Sequence, residues 1–238
     1  MSSEPNPSRP ETWWLVDSGR CDYDFNMALD ESLLALAAQT SQPVLRFYGW
    51  NQPAASFGYF QKFADVEQLT ALRPLVRRPT AGGIVPHDAD WTYSVAVPRT
   101  NGWYALRAVE SYRRVHEWVQ AALARLGIET TLAPCSLESG PGQCFIGYEQ
   151  FDLLWRGRKI AGAAQRRTRE GLLIQGSLQP PMAARVVSRK PWHEAMALCG
   201  TGNFGIAWAP LNLQPGFEEQ VRTLARTKYS QDAYNRKR

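Results

Sequence analysis

The sequence of 238 residues has no long apolar runs, and it is poor in cysteine and histidine. No stretch approaches the roughly 18 uncharged residues that suggest a membrane-spanning helix. The four cysteines are scattered, without the paired spacing of a zinc ribbon or the density of a secreted disulfide scaffold. The three histidines lack the helical spacing of a zinc protease. We therefore expect a cytoplasmic protein with reduced thiols, no metal and no membrane association.

The charge is basic overall but mostly dispersed. Lysine and arginine number 27 against 22 acidic residues, which gives a formal net charge of +5. Basic residues concentrate at Arg166, Arg167 and Arg169 and at the C-terminal stretch 236–238. Neither a helix-turn-helix nor a zinc-finger pattern accompanies them, so a solvated basic face is predicted and a nucleic-acid partner is not.

The first dozen residues differ from the rest of the chain. They are polar and proline-rich, which predicts a disordered tail over residues 1–12. Beyond them we find no repeat and no low-complexity segment, and a 44% hydrophobic content over this length is enough to bury one large core. Residues 13–238 are therefore predicted to form a single domain.

Hydrophobic periodicity predicts interspersed helices and strands. Helices are expected over Asn26–Gln39, from Val109 to Leu126 with a stop at Gly127, and over Phe217–Lys228. Strands are expected over Pro43–Trp50, Ala55–Phe60, Trp91–Pro98, Phe151–Trp155, Lys159–Gln165 and Gly171–Leu178. The short turn before Lys159 joins two of these strands as a hairpin. We expect an α/β or α+β fold in which helices flank a mixed, largely antiparallel sheet.

The first segment with a chemical signal is RRPTAGGIVPHD, residues 77–88. Arg77 or Arg78 can pair with an anion, and Gly82 and Gly83 let backbone N–H groups approach a phosphate or an acyl carbonyl. The segment lacks the ending of a nucleotide P-loop and the three-glycine dinucleotide fingerprint. On composition alone, an ordinary turn is the commoner explanation for two glycines between strands.

The same segment resembles the signature of lipoate–protein ligases and related octanoyltransferases, which is Arg-Arg-x-Ser/Thr-Gly-Gly-Gly-x-Val-x-His-Asp followed by a strand. This chain departs from it at Ala81, where the family usually has glycine. Further matches are NMALDESLL, PVLRFYGWNQPAASFGYFQ, GRKIAGAAQRR and GLLIQGSL, so the resemblance runs from Trp14 to Leu178. It implies the fold that this family shares with biotin ligases and class II synthetase cores.

The resemblance also implies roles for individual residues. Lys159, within the motif from Gly157 to Gly162, would contact the acyl carbonyl, where an ammonium stabilises the negative charge that develops during acyl transfer. Without the motif, a lone lysine after a hairpin turn would be assigned to solvent. The substrate-binding positions that the resemblance implies are Arg77, Arg78, Thr80, Gly82, Gly83, His87 and Gly162.

Cys144 bears on which reaction the chain performs. It precedes Lys159 by fifteen positions, and the resemblance to octanoyltransferases with a ligase-like sequence implies that it carries the octanoyl group. An ordinary thiol, with a pKa of about 8.5, is only slightly ionised at neutral pH, so a nearby cation such as Lys159 would favour the thiolate. The alternative is a small buried apolar residue. The remaining cysteines, Cys21, Cys135 and Cys199, are interpreted as structural, and Cys135, which is nearby in sequence, is kept as a second candidate for the nucleophile.

The resulting hypothesis is an acyltransferase without a cofactor. The group transferred would be octanoyl or lipoyl. In the octanoyl case, Cys144 would take it from octanoyl-acyl carrier protein and pass it to a lysine of a 2-oxoacid dehydrogenase lipoyl domain or a glycine cleavage H protein. An amidotransferase acting between two lipoyl proteins is a related possibility. The main alternative is an ATP-dependent lipoate ligase, in which Arg78 and Gly83 would contact nucleotide phosphates and Mg²⁺ would assist. An acyl-protein binder without catalysis and a nucleic-acid module are further alternatives.

Overall fold

The computed structural model describes residues 10–137, 147–181 and 188–238. Its strands are β1 (Glu11–Cys21), β2 (Val44–Trp50), β3 (Ala54–Phe57), β4 (Leu75–Arg77), β5 (Val85–His87), β6 (Trp91–Pro98), β7 (Thr131–Leu132), β8 (Leu153–Trp155), β9 (Arg158–Arg167), β10 (Gly171–Leu178) and β11 (Ile206–Pro210). Its helices are α1 (Tyr23–Thr40), α2 (Phe63–Leu69), α3 (Gly102–Ala105), α4 (Ala108–Arg125), α5 (Arg189–Phe204), α6 (Pro215–Leu224) with a π-helical turn over Ala225–Tyr229, and α7 (Asp232–Asn235). Among the described residues, no helix has the length and apolarity to cross a membrane.

The strands form two sheets of different size. The large sheet has the order β11-β1-β2-β6-β10-β9-β8-β7, and the small sheet has the order β4-β3-β5. In the large sheet β1 pairs in parallel with β2 and β11, whereas the pairs from β2 to β7 are antiparallel. The predicted fold class, a mixed and largely antiparallel sheet flanked by helices, is confirmed.

Helices cover both faces of the large sheet. On one face α4 and α5 bury residues such as Trp118 and Trp192 against the strands. On the other face α1, α6 and the π-helical turn enclose a second core that includes Met27 and Leu29. Helices α1 and α4 bury residues at three- and four-residue spacing, one on each face of the sheet, and the central strands β6 and β10 are buried throughout.

Most predicted elements are present at nearly their predicted positions. Helix α1 contains the predicted Asn26–Gln39, β6 coincides with Trp91–Pro98, and α4 is followed by Gly127 with a φ of +73°. The strand predicted to reach Phe60 ends at Phe57 instead. At Gly58 a Cβ atom would lie 1.9 Å from the carbonyl oxygen of Gly82, so the strand gives way to a close crossing of two backbone segments.

Nine elements had no counterpart in the sequence-based prediction, namely β1, β4, β5, β7, β11, α2, α3, α5 and α7. Helix α5 and strand β11 were not predicted, and β1 begins at Glu11, inside the predicted tail. Glu11 is paired with Ile206 and Thr12 with Ala207, so these two residues belong to the sheet. The pairing joins two distant stretches of the chain in parallel, and periodicity within either stretch does not reveal such a partner.

Candidate active site

A cavity lies between the small sheet and the α1 side of the large sheet. It encloses about 480 Å³ of empty space, its open mouth included. Apolar and aromatic side chains form much of its wall, among them Met27, Tyr48, Trp50 and Val85. Residues from the sequence-derived set also line it, namely Arg78, Gly82, His87, Lys159 and Gly162.

Lys159 enters this cavity from the β8–β9 hairpin. The turn has Arg156 at φ 51° and Gly157 at φ 76°, and two successive positive φ values are typical of the two-residue turn that fits the twist of a hairpin. The ammonium Nζ lies 2.6 Å from Oδ2 of Asp152, and the lysine side chain is only 8% exposed. Lys159 is therefore a buried, ion-paired cation at the cavity wall.

Asp152 is held in place by further hydrogen bonds. Its Oδ2 accepts the backbone N–H of Glu149 at 2.7 Å, and its Oδ1 accepts the hydroxyl of Tyr112. Burial and the neighbouring Asp152 carboxylate hold the pKa of Tyr112 well above its ordinary value, so this hydroxyl stays a donor. The sequence analysis did not single out Asp152, although a carboxylate just before the buried strand β8 was an available signal.

Gly162 leaves space for the Lys159 ammonium. A Cβ atom at this position would lie 2.7 Å from Cε and 2.8 Å from Nζ of Lys159. It would also lie 3.1 Å from Oδ1 of Asp152. Gly162 therefore acts on the site through the lysine, since any side chain here would compete with the ion pair for the same volume.

Arg78 organises the glycine loop. Its Nη2 donates to the carbonyl oxygens of Ala81 at 2.6 Å and Gly83 at 2.8 Å. Gly82 between them has a φ of +90°, a conformation that favours glycine, whereas Ala81 has no positive φ. The backbone therefore tolerates alanine at position 81, where the family usually has glycine. Gly83 accepts this hydrogen bond from Arg78 and is not among the residues that line the cavity.

Arg77 and Thr80 lie behind the cavity. The Arg77 guanidinium is fully buried and donates to the carbonyl oxygens of Tyr59 at 2.7 Å, Gln61 at 2.7 Å and Asn235 at 2.8 Å. The structure does not bring Arg77 to the cavity wall, because these contacts fasten the small sheet to α7. Thr80 donates its hydroxyl to Gln175 Oε1 at 2.7 Å, and so it reaches the cavity only through that wall residue.

The floor of the cavity rests on a buried carboxylate, Asp30. It accepts hydrogen bonds from Arg46 at 2.7 Å, Ser94 at 2.6 Å, Gln175 at 2.7 Å and the Tyr48 hydroxyl at 3.0 Å. Burial, together with Asp30, keeps the pKa of Tyr48 well above its usual range. Four donors on one buried carboxylate fix the wall residues Tyr48 and Gln175 in place.

His87 has partners on both ring nitrogens. Nε2 lies 2.8 Å from the Ser56 hydroxyl, and Nδ1 lies 2.8 Å from Oδ2 of Asp90. The ring stacks on Trp50 with centroids 3.8 Å apart. His87 was predicted at the site from the sequence, whereas Ser56 in β3 and Asp90 in the turn before β6 were not.

The remaining candidates lie elsewhere. Cys144 is outside the described residues. Cys135 is exposed, Cys21 is half-buried and Cys199 is buried, and burial raises the pKa of the last two thiols. Burial lowers the pKa of His116 to about 4, which keeps its ring neutral. Within residues 10–137, 147–181 and 188–238, no three His, Cys, Asp or Glu side chains are grouped as a metal site requires.

Several known proteins of similar sequence carry the same name, octanoyltransferase LipM. Octanoyltransferase LipM of Geobacillus kaustophilus is 37% identical and that of Bacillus subtilis 36% identical, each over 181 residues that cover 71% of this chain. The aligned part spans 65% of the length of each of these relatives. Octanoyltransferase LipM of Symbiobacterium thermophilum is 30% identical over 270 residues, which cover 94% of this chain and 97% of that protein.

Solved structures share the fold. A lipoate-protein ligase A bound with ATP superposes with a TM-score of 0.75 at 21% identity, covering 95% of this chain and 98% of that one. A bi-partite lipoate protein ligase from Thermoplasma acidophilum, described with its E2 lipoyl domain, gives 0.68 at 20% identity over 95% and 96%. The model of the lipoyl protein ligase A/B catalytic domain matches residues 22–186. The chain belongs to this lipoyl protein ligase A/B catalytic domain family.

Proposed function

We propose that the chain transfers an octanoyl group to a lysine of a lipoyl-domain protein through a thioester on Cys144. The observation that supports this most directly is the apolar cavity with the Lys159–Asp152 ion pair at its wall. Apolar walls suit a medium-length acyl chain, and a fixed cation suits the carbonyl at its end. Relatives named octanoyltransferase, at 36–37% identity, agree with this choice of reaction.

The proposed reaction has two acyl-transfer steps. The Cys144 thiol loses its proton and attacks the donor thioester, a new C–S bond forms as the donor C–S bond breaks, and the departing thiolate takes up the proton that Cys144 released. The acceptor lysine amine then attacks the acyl-cysteine, forming an amide and returning the thiol. In both steps the Lys159 ammonium stabilises the negative charge on the carbonyl oxygen, aided by the backbone beside Gly82. Since the mechanism needs a reduced thiol, we propose the cytoplasm as its compartment.

The position of Cys144 in the sequence supports its role. It lies five residues before Glu149, whose backbone N–H donates to the Asp152 carboxylate at 2.7 Å. Glu149 thus contacts the partner of Lys159 directly. We propose that the lysine cation favours the thiolate form of Cys144.

A basic and aromatic surface next to the glycine loop supports an acidic protein partner. We call it the Tyr59 patch and define it by Tyr59, Phe60, Arg166, Lys237 and Arg238. The three cations lie 3.9–5.5 Å from the Tyr59 ring centroid, and Phe60 is 67% exposed. We propose octanoyl-acyl carrier protein as the donor and lipoyl domains or H protein as acceptors, because their acidic surfaces complement these cations.

Mass spectrometry of the intact protein tests the proposal. The chain is mixed with octanoyl-acyl carrier protein in the absence of ATP, alongside Cys144→Ala and the matched control Cys135→Ala. We expect one thioester-linked octanoyl adduct, released by neutral hydroxylamine, on the parent and on Cys135→Ala, and no adduct that neutral hydroxylamine releases on Cys144→Ala.

The contrary outcome identifies the alternative reaction. If no adduct forms and both the parent and Cys144→Ala modify a lipoyl domain only when ATP and Mg²⁺ are supplied, the chain is a ligase. The reactions with ATP and Mg²⁺ are included because a ligase bound with ATP has the same fold. An octanoylated H protein, offered as donor in a parallel reaction, identifies an amidotransferase if it loads the cysteine faster than the carrier protein does.

A further inference from the structure

We propose that Ser56, His87 and Asp90 form a second nucleophilic site on the wall of the same cavity, which hydrolyses acyl thioesters without Cys144. This activity goes beyond the proposed transfer reaction. It would release a free fatty acid, with water as the final acyl acceptor.

The three side chains form a continuous hydrogen-bonded chain. The Ser56 Oγ lies 2.8 Å from His87 Nε2, and His87 Nδ1 lies 2.8 Å from Asp90 Oδ2. A nucleophile bonded to a base, with that base oriented by a buried carboxylate, is the arrangement that activates a serine hydroxyl. The side chains of His87 and Asp90 are 3% and 1% exposed, so the hydrogen bond between them is shielded from bulk water.

The surroundings of Asp90 determine the tautomer of His87. Asp90 Oδ2 also accepts the hydroxyls of Thr92 at 2.9 Å and Ser177 at 2.8 Å. A carboxylate surrounded by donors serves as an acceptor for His87, which places the imidazole proton on Nδ1. Nε2 of the neutral ring is then free to accept the Ser56 proton, as a general base must.

Ser56 and His87 both line the cavity, where an acyl chain would be bound. The ring of His87 is held by stacking on Trp50, with the planes inclined by 16°. Arg78 Nη1 lies 3.3 Å from the Ser56 Oγ, which brings a cation beside the nucleophile. Lys159 lines the same cavity, so a charged donor is available to the carbonyl oxygen of a bound thioester.

The reaction follows from these positions. The Ser56 oxygen attacks the thioester carbonyl while its proton moves to His87 Nε2, the C–S bond breaks, and the imidazolium protonates the departing thiolate. The product is an octanoyl ester on Ser56. His87 then takes a proton from water, the hydroxide attacks the ester, and the carboxylic acid leaves as the Ser56 hydroxyl is restored.

The test uses the Cys144→Ala chain without any acceptor protein, so that failure of the proposed transfer reaction does not affect it. Octanoyl-CoA is the probe, release of free CoA thiol is followed with a thiol reagent, and a fluorophosphonate labels activated serines. We expect thiol release above the buffer rate, an octanoyl or phosphonyl group on the peptide containing Ser56, and at least a roughly tenfold loss of both on adding Ser56→Ala or His87→Ala.

The matched control is Ser111→Ala in the same background. Ser111 is a buried serine whose hydroxyl is also hydrogen-bonded, but it lies outside the cavity wall. It should leave thiol release and labelling unchanged. Melting temperatures establish that every variant is folded. If the folded Cys144→Ala chain releases no thiol above buffer, or if labelling persists after Ser56→Ala, the three residues serve only to hold the wall together and the proposal is wrong.

Discussion

At the residue scale, the position of Lys159 depends on a missing side chain. A Cβ atom at residue 162 would lie 2.7 Å from the lysine Cε and 2.8 Å from its Nζ, so the end of the lysine side chain would have to shift. We therefore predict that Gly162→Ala displaces Nζ from Asp152 and lowers kcat for octanoyl transfer by roughly tenfold or more, the size expected for a displaced charge at a developing oxyanion. Initial rates of lipoyl-domain octanoylation measure this.

Gly202 provides the matched control for that substitution. It lies in α5, and no atom lies within 4 Å of the position that its Cβ would occupy. Gly202→Ala should keep full activity and raise the free energy of unfolding by up to about 1 kcal/mol, because alanine is the better helix former. Equal kcat values for both variants would show that the space beside Lys159 does not matter for catalysis.

The sequence predicted some residues of the cavity and could not predict others. Lys159, Gly82 and His87 belong to motifs, and the structure places all three at one cavity. Asp152 was missed because its ion pair depends on the register of the β8–β9 hairpin. Ser56 was missed because a serine within a short strand has no sequence pattern that shows which histidine it faces. The role proposed for Cys144 stays a prediction.

At the element scale, Arg77 in β4 attaches the small sheet to the end of the chain. Its guanidinium donates to four backbone carbonyl oxygens from two separate segments, including those of Tyr234 and Asn235 in α7. Because an ammonium cannot match this forked geometry, we predict that Arg77→Lys lowers the free energy of unfolding by about 2–4 kcal/mol. Chemical denaturation of the ligand-free protein gives this value.

The exposed Arg73 is the matched control. Its guanidinium also donates to backbone carbonyl oxygens, yet its side chain is 47% exposed. Arg73→Lys should therefore change the free energy of unfolding by less than about 0.5 kcal/mol. If Arg77 bound substrate directly, as the family resemblance implied, Arg77→Lys would raise the KM and leave the unfolding free energy unchanged.

Helices and strands were predicted correctly where the hydrophobic periodicity of their own sequence was enough to identify them. Strand β6 and helix α4 show a burial pattern that follows from the local sequence. Strand β1 was missed in part because its exposed residues interrupt the pattern and its partner β11 lies at the other end of the chain. Parallel pairing over such a separation leaves no local signal.

At the scale of the whole molecule, one cluster of basic side chains, the Tyr59 patch, lies next to the glycine loop. In the Tyr59 patch, the hydrogen bond to Lys237 and the surrounding cations lower the pKa of Tyr59. We predict that Arg166→Glu combined with Lys237→Glu raises the KM for octanoyl-acyl carrier protein about tenfold at low salt. The effect should shrink as salt is added, because exposed charges are screened.

Two comparisons isolate the role of this surface. The neutral thioester octanoyl-N-acetylcysteamine should be used equally well by the parent and the double variant, since it has no acidic surface to recognise. Arg113→Glu, on α4, should leave both KM values unchanged because its side chain is exposed and belongs neither to the cavity wall nor to the Tyr59 patch. A similar loss with the small thioester would assign the two cations to the cavity itself and not to docking.

The stacking of His87 on Trp50 gives the cavity an optical reporter. The sequence has nine tryptophans, and of those described only Trp50 lines the cavity. Several others pack together on the far face of the sheet, among them Trp13, Trp103 and Trp118. An acyl chain that enters the cavity replaces water beside one indole and leaves that remote cluster untouched. Binding of an acyl chain should therefore change the fluorescence emission of Trp50 alone, and Trp50→Phe should abolish that change.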